Sequence, residues 1–377
     1  MGASAPRAKQ KDHPMTSVTE ASTLSTAEAM RARRKARLAH SLNRAAATLQ
    51  IVGLGWLSPL LRMAAGDSPR QQGQELWQQM GVPLTALMLF LAAWAWLAPQ
   101  VNTSLGAIPG PAQVWEQVGV LHADHQAERA KEAAFYDRQA KRNAELLAKD
   151  PSAEVKTRPY AGKPTYLDQI VTSLKTVFTG FLLGALVAVP LGVACGLSRT
   201  VNAAMNPLIQ IFKPVSPLAW LPLVTMVVSA TVSSDNPTFE KSFLTSAVTV
   251  TLCSLWPTLI NTAVGAASID KDLLNVGRVL RLGWLAKLTR LVLPSSLPYI
   301  FTGMRLSLGV GWMVLIAAEM LSQNPGLGKF VWDEFQNGSE KSLSRIMVAV
   351  IVIGLIGFGL DRIMLGLQKL VGRDARS

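Results

Sequence analysis

Few side chains in this sequence have the types and spacing that catalysis or metal binding requires. His122 and His125 form an H-x-x-H pair in a charged segment, but no cysteine or carboxylate cluster accompanies them to complete a metal site. Cys195 and Cys253 both fall in apolar stretches, which favours a packing role over redox chemistry. No set of nucleophile, base and acid stands out. The sequence therefore predicts a protein that binds no cofactor or metal and is not an enzyme.

The sequence also predicts no phosphate-binding loop. The segment Gly162-Lys163-Pro164-Thr165 is similar to the end of such a loop, but the glycine that the pattern requires upstream falls at Thr157. A proline also interrupts the motif. We therefore expect no nucleotide site in this chain, and any energy that it uses must come from another subunit.

Long apolar stretches are the elements that position the remaining residues. The chain has 377 residues, of which 49% are hydrophobic and 16% charged, and the apolar residues are clustered. A helix needs about 20 apolar residues to cross a hydrocarbon core roughly 30 Å thick. Six stretches approach this length: Val82 to Ala98, Val177 to Leu197, Val215 to Val232, Phe243 to Val264, Leu306 to Leu321 and Ile346 to Gly366. The sequence therefore predicts an all-α polytopic membrane protein with six transmembrane helices.

The net charge of +13 indicates how these spans are oriented. Basic residues collect in cytoplasmic loops. They dominate four segments, which are residues 1–80, 199–214, 268–306 and 368–377. The loop with Asp235 and Glu240 is acidic on balance. Both termini are therefore predicted to be cytoplasmic, and the excess charge is explained by orientation rather than by nucleic-acid binding.

Two segments outside the six spans need a separate interpretation. Residues 45–61 are apolar but interrupted by glycine and proline, and we interpret them as an interfacial helix, with a seventh span as the alternative. Residues 99–168 form an outer insertion, in which Asp124 to Lys149 is rich in helix formers and predicts a soluble helix. This helix is either a docking surface for an outer partner or a solvated insertion without a specific role.

The connection between the fourth and fifth spans is the most informative part of the sequence. It begins with Asp270 and Asp272, either of which can cap a helix, and continues with leucines and valines that give the helix an apolar side. Pro294 closes a second amphipathic stretch. Two short helices in a basic cytoplasmic loop predict a surface on which another protein docks.

This connection resembles the coupling loop of ABC importer permeases. Their pattern is E-A-A, three residues, Gly, nine residues, an aliphatic residue, any residue and Leu-Pro. Counted back from Leu293-Pro294, the E-A-A falls at Asn275-Val276-Gly277 and the glycine at Arg281. Leu291 and the Leu-Pro end match, whereas the glutamate, both alanines and the glycine do not. Gly283 lies two positions after the expected glycine.

Other motifs resemble the nitrate, sulfonate and taurine branch of these permeases. They are Ser216 to Pro222, Pro298 to Arg305, Ala317 to Leu321 and Gly326 to Gly328. Within this branch, Asn275 to Leu282 and the charged run Glu128 to Tyr136 are similar to the nitrate/nitrite importer permease. The resemblance covers about Gly106 to Leu367 and leaves the N-terminal tail and the first span outside it.

The resemblance implies a type I ABC importer permease with a core at 169–367 and a coupling loop at 268–298. It implies a homodimeric pore, a cytoplasmic ATPase that uses ATP and Mg²⁺, an extracytoplasmic binding protein, and a place in the bacterial inner membrane. The implied substrate is a small oxyanion, nitrate or nitrite first, with sulfonates, taurine, cyanate or bicarbonate as alternatives. The residues that would contact the ATPase are Asp272, Asn275, Val276, Gly277, Arg278, Arg281, Gly283, Leu293 and Pro294.

Five residues are candidates for the transport pathway or its gate: Pro217, Trp220, Pro222, Arg305 and Glu319. The two prolines and Trp220 either break the third helix and line the pore or pack it. Glu319 is taken as the one acid inside or near the end of a span, where a charge marks a functional or a structural contact. We interpret it as structural, accepting backbone N–H bonds from the turn at Asn324 to Gly328.

Two other classes of membrane protein also fit a polytopic chain, a secondary transporter and a scaffold that binds partners without transport. A secondary transporter would usually show paired ionisable groups inside the membrane and repeated broken helices. With Glu319 as the single acid and no repeat in the sequence, the importer permease is the preferred hypothesis.

Overall fold

Helices form nearly all of the regular structure, as the long runs without turn residues predict. The computed structural model describes residues 69–103, 106–150, 155, 157–232, 240–339 and 341–374. The chain divides into two units, 1–82 and 83–377. The predicted interfacial helix at 45–61, most of the basic N-terminal tail, and Asp235 lie outside the described residues.

In the first unit, helix α1 (Pro69–Leu76) is followed by a π-helical turn at Trp77–Gly81. The remaining helices are α2 (Val82–Leu97), α3 (Pro111–Lys149), α4 (Tyr166–Leu197), α5 (Arg199–Phe212), α6 (Pro217–Thr231), α7 (Lys241–Ala267), α8 (Lys271–Val279), α9 (Trp284–Lys287), α10 (Leu293–Ser322), α11 (Leu327–Asn337) and α12 (Ser342–Asp374). A 3₁₀ turn at Ala98–Gln100 precedes a small antiparallel hairpin of β1 (Asn102–Thr103) and β2 (Gly106–Ala107), and a second π-helical turn at Leu288–Val292 precedes α10.

The predicted membrane-spanning helices are confirmed among the described residues. Five helical stretches are long and apolar enough to cross a membrane: Gly73–Gln100, Tyr166–Leu197, Lys241–Ala267, Trp284–Ser322 and Ser342–Val371. The pair α5 and α6, which is bent by 102°, forms a sixth span if it is counted as one. Most helices extend beyond the predicted ends because polar end turns continue the helix outside the apolar part.

Residues 199–214 contradict the sequence interpretation, which assigned them to a connecting loop. Residues 199–212 fold into α5 instead, and the hydroxyl of Ser198 caps this helix by accepting the backbone N–H of Val201 at 3.3 Å. The apolar side of α5 places Ile209 in a buried cluster with Ala188 of α4 and Trp256 of α7. The chain therefore turns sharply at Ser198 and runs back along α4.

Helices α4, α7 and α10 form the packed centre of the second unit. Glycines on α4 allow the close approach of α7, because a Cβ at Gly180 would lie 2.6 Å from the carbonyl oxygen of Ala247. A Cβ at Gly196 would likewise lie 2.5 Å from the carbonyl oxygen of Ala263. The later glycine on α4 meets the later residue on α7. The two helices therefore run in the same direction and end on the same side of the bundle.

The outer insertion forms a longer helix than its composition predicts. The 39 residues of α3 span about 58 Å and begin at Pro111 rather than at Asp124. Val114 and Leu121 are buried in the main hydrophobic core. Farther along, the Tyr160 hydroxyl donates a 2.8 Å hydrogen bond to Glu128, which lowers the pKa of this carboxyl and raises that of the phenol.

Candidate functional site

The loop at 268–298 contains one short helix, α8, as the sequence predicts. The prediction that Pro294 closes a second short helix is wrong, because α9, the π-helical turn and α10 form one continuous helical stretch from Trp284 to Ser322. Asp270 rather than Asp272 makes the capping contact, because its Oδ1 accepts the backbone N–H of Asp272 at 2.9 Å. Asp272 and Asn275 are exposed on α8, and Arg278 lies in its last turn. The structure thus brings the residues from Asp272 to Arg278 onto one short helix.

The chain changes direction between α8 and α9 at Arg281. This residue has φ of +48°, in the left-handed region that favours glycine. The backbone N–H of Leu282 donates to the carbonyl oxygen of Gly277 at 3.0 Å, which closes the turn. Gly283 is extended, with φ of −62°, and caps the start of α9. The left-handed residue therefore occupies the position at which the family pattern has glycine, although this chain has arginine there.

Replacing Arg281 with glycine is expected to stabilise this turn by about 0.5–1 kcal/mol, because the left-handed backbone costs a residue with a Cβ about 1 kcal/mol. Hydrogen exchange of the amides at 280–283 should slow roughly two- to fivefold. Arg281→Ala removes the same charge but keeps the Cβ, so it serves as the matched control and should not slow exchange. Equal exchange in both variants would contradict a strained turn.

The loop is fixed to the long helix α10 by buried packing. A Cβ at the buried Gly277 would lie 2.8 Å from Cδ1 of Leu291, so α8 packs directly on the π-helical turn. Val292 is buried in a cluster against which Leu293 packs, and Pro294 occupies the first turn of α10, where a missing N–H is tolerated. A displacement of the loop is therefore passed to α10.

The solvent-exposed surface of this loop carries several large apolar side chains. Val279 is 82% exposed and Trp284 71%, and three further residues, Val276, Leu280 and Leu285, are at least half exposed. Arg281 and Arg290 are exposed beside them. We call the five apolar residues the loop patch. Apolar groups clustered on a surface with a charged rim are typical of a protein-docking site.

The third span, counted as α5 and α6 together, is bent by 102° directly before Pro217, whereas α6 itself is continuous through Trp220 and Pro222. Ser216 caps α6 by accepting the backbone N–H of Leu218 at 3.3 Å, and Pro217 is the first residue of that helix. Pro222 lies inside α6. The Trp220 ring packs on Phe212, with ring centroids 5.8 Å apart. The geometry thus includes both a break and packing, and it leaves the pathway role of these residues as a proposal.

Phe212 connects two indoles at this break. Its ring lies 6.4 Å from that of Trp256 and nearly parallel to it, at 8°. The indole N–H groups of Trp220 and Trp256 are buried and have no hydrogen-bond partner in the part of the chain that the structure describes. Buried N–H groups without a partner are rare in native proteins.

Glu319 lies in a closed polar cluster and is 0% exposed. Its two carboxylate oxygens lie 2.9 and 2.8 Å from the hydroxyl of Ser173, and the backbone N–H of Gly328 donates to Oε2 at 3.0 Å. Asn324 lies 3.4 Å from Oε1. The expected backbone bond from the 324–328 turn is therefore present, and the carboxylate joins α4, α10 and α11.

Arg305 makes a bidentate pair with Asp361, which sequence reasoning missed. Nε and Nη2 of Arg305 lie 2.6 and 2.9 Å from the two carboxylate oxygens, which joins α10 to α12. Asp361 lies within the span Ser342–Val371, so the statement that Glu319 is the one acid in a span is wrong. The pair also removes the argument that was used against a secondary transporter. Asp361 lies inside the predicted sixth span and Arg305 directly precedes the predicted fifth, and these two opposite charges were the signal that could have found the pair.

The class of membrane protein is decided by a comparison with protein families rather than by the charges in the spans. Residues 180–377 match the family described as "Binding-protein-dependent transport system inner membrane component". The nitrate import permease protein NrtB of Synechococcus elongatus is 35% identical over 208 residues, which cover 55% of this chain and 71% of that protein.

Two further similarities extend over different shares of the chain. The bicarbonate transport system permease protein CmpB of Synechococcus elongatus is 32% identical over 315 residues, covering 82% of this chain and 96% of that protein. Among solved structures, a chain of the inward-facing MetNI methionine ABC transporter aligns with a TM-score of 0.42 and 18% identity. That alignment covers 53% of this chain and 94% of the other.

Proposed function

Because the chain belongs to the family of binding-protein-dependent transport system inner membrane components, we propose that it moves a small oxyanion, most directly nitrate or nitrite, across the bacterial inner membrane. Membership in this family makes the chain a multi-pass permease subunit that works with an ATPase and a substrate-binding protein. We further propose that both termini are cytoplasmic and that a second copy of the chain completes the pore.

The loop patch is the observation that supports the mechanism. We propose that it docks into the cytoplasmic ATPase, which binds ATP and Mg²⁺, so that this chain needs neither. Closure of the ATPase would then move α8 and α9 as a rigid body, a common form of conformational switch. Since Gly277 and Leu291 pack together, the movement would reach α10 and switch the pore between outward and inward access.

The proposed substrate class rests on the two relatives described above. Their names specify nitrate for NrtB and bicarbonate for CmpB. Both ions are small, planar, singly charged and carry three oxygen atoms, so one path can accept either. Taurine and other sulfonates have a tetrahedral anionic group and a longer body. We propose nitrate first and bicarbonate second, with sulfonates, taurine and cyanate behind them.

Competition for uptake tests this order. The permease, its ATPase and its binding protein would be reconstituted in vesicles, and uptake of labelled nitrate would be measured with an excess of unlabelled nitrite, bicarbonate, cyanate or taurine. We expect nitrite to compete most strongly and taurine least. Stronger competition by bicarbonate would move the assignment to that ion, and stronger competition by taurine would contradict a path built for small planar anions.

A further inference from the structure

A cavity of about 670 Å³ opens between α5 and the ends of α4 and α7. Helix α5 and its C-cap residue contribute the polar wall, which consists of Arg199, Asn202, Asn206, Gln210 and Lys213. Their spacing of three or four residues places these side chains on one face of the helix. The wall formed by α4 and α7 is built from apolar and small residues. We call the five polar residues the α5 polar face.

The α5 polar face extends from one end of the bundle to about the middle of the membrane. Ile209 packs level with Ala188, because both belong to one buried cluster. Ala188 lies about 13 Å from the end of α4 at 1.5 Å per residue, and Lys213 lies one turn farther than Ile209. Half of the hydrocarbon core is about 15 Å. Lys213 and the break between α5 and α6 therefore lie near mid-depth.

Polar side chains at this depth cannot face hydrocarbon without a large cost in free energy. The side chains of Arg199 and Lys213 make no ion pair or hydrogen bond with any residue in the described ranges, and the Gln210 amide bonds only Asn206, at 3.2 Å. The neighbouring side of α5 carries the exposed and apolar Leu208 and Ile211. The helix thus separates an apolar side from a polar side, and the polar side requires water or an anion.

The chemistry of the cavity favours an anion. Its lining contains two cationic groups and three carboxamides, and none of the described residues that line it is acidic. Lys213 lies at the end of the cavity that is deepest in the membrane, and it directly follows Phe212. The Phe212 ring packs against the indoles of Trp220 and Trp256, whose N–H groups have no partner among the described residues. The guanidinium, ammonium and amide N–H groups of the lining are the donors that a small oxyanion needs to replace its hydration.

We propose that the α5 polar face lines the inner half of the anion path and that Lys213 is the binding residue at which the oxyanion pauses, at the break of the third span. This inference rests on the proposed function and assigns to it the residues that contact the substrate. Arg199 lies at the cytoplasmic mouth of the path. The same donors could also hold the phosphate of a phospholipid, and the experiments below distinguish the two occupants.

The first experiment asks whether Lys213 contributes to nitrate binding or only to the structure of the transporter. In the reconstituted transporter, Lys213→Gln is expected to raise the KM for nitrate at least tenfold with a smaller change in kcat, whereas Lys213→Arg should restore a KM close to that of the wild type. Lys241→Gln, which removes a lysine at the start of α7 outside the cavity, is the matched control and should leave KM unchanged. An unchanged KM in Lys213→Gln would overturn the proposal.

The second experiment tests access and occupancy. Single cysteines would replace Asn206 or Leu208 in a transporter whose Cys195 and Cys253 are changed to alanine. We expect an anionic methanethiosulfonate to modify Asn206→Cys and not Leu208→Cys. Nitrate at about ten times its dissociation constant should slow the modification about tenfold, because only a tenth of the sites remain free.

Two results would overturn the anion path, and each differs from failure of the proposed function. Equal modification of both cysteines would show that the α5 polar face is no separate aqueous path. The second result concerns the rate at which the cysteine at position 206 is modified. If nitrate left this rate unchanged, but the omission of anionic phospholipid from the vesicles raised it, the cavity would be assigned to a lipid phosphate. If the wild-type transporter moves neither nitrate nor bicarbonate, the proposed function itself fails.

Discussion

Replacing Gly277 with glutamate is expected to reduce ATP-driven uptake more than about tenfold, the effect of ~1.4 kcal/mol on a binding equilibrium, while the permease still inserts in the membrane. Gly277 is buried against Cδ1 of Leu291, and Leu282 lies next to it. A glutamate side chain would place a carboxylate in this apolar contact, and the cost of burying it would push α8 away from the π-helical turn. The loop patch would then lose the shape that the ATPase recognises.

Graded substitutions separate this effect from a general disturbance. Gly277→Ala requires only the flexible end of Leu291 to shift, so uptake should fall much less than with glutamate. Gly119→Glu adds the same side chain to α3 at a position with no atoms nearby, and uptake should stay at the wild-type rate. The measurements are initial uptake rates and the amount of ATPase that copurifies. Wild-type uptake by Gly277→Glu would contradict the role of the loop.

Replacing Glu319 with alanine is expected to lower the stability of the permease by about 3 kcal/mol. The carboxylate is the acceptor for the Ser173 hydroxyl, the Asn324 amide and the Gly328 N–H. Its loss leaves the Ser173 hydroxyl and the Gly328 N–H without this acceptor, while the Asn324 amide keeps its 3.1 Å hydrogen bond to the Thr176 hydroxyl. Each unsatisfied buried group costs about 1–3 kcal/mol. A Cβ at Gly326 would also overlap the carboxylate, so the surrounding turn is shaped to fit this side chain closely.

Thermal unfolding in detergent, followed by tryptophan fluorescence, measures this effect. A loss of 3 kcal/mol lowers Tm by roughly 6 to 12 °C for a domain of about 150–250 residues. The expected decrease is smaller for this chain of 377 residues, because the entropy of unfolding grows with chain length. Glu116→Ala, at an exposed position of α3, is the control and should leave Tm within the small range usual for surface substitutions. If Glu319→Ala kept the wild-type Tm, the polar cluster would not hold α4, α10 and α11 together.

The sequence predicts the spans and the docking loop because both depend on local patterns. Runs of about 20 apolar residues mark the spans, and the Leu293-Pro294 end with Asp270 marks the loop. These signals need no knowledge of distant contacts. The same reasoning fails at the ends of the helices, where polar turns such as the start of α4 at Tyr166 continue a helix without an apolar signal.

The features that the sequence could not predict depend on contacts between distant residues. Ser173 and Glu319 meet although they are 146 positions apart, and Asp361 neutralises Arg305 across 56 positions. Helix α5 was missed because its polar face lowers its hydropathy, although its spacing of Asn, Gln and Lys residues follows one helical face. The left-handed backbone at Arg281 was missed because arginine gives no signal for it.

Energy coupling is the central claim, and uptake with an inactive ATPase tests it most directly. Labelled nitrate would be offered with the binding protein to vesicles that contain the permease with either the active ATPase or a variant that binds ATP without hydrolysing it. We predict sustained accumulation of nitrate only with the active ATPase and ATP. Equal accumulation with the inactive ATPase, or unchanged uptake in cells that lack every candidate ATPase partner, would contradict an ATP-driven importer.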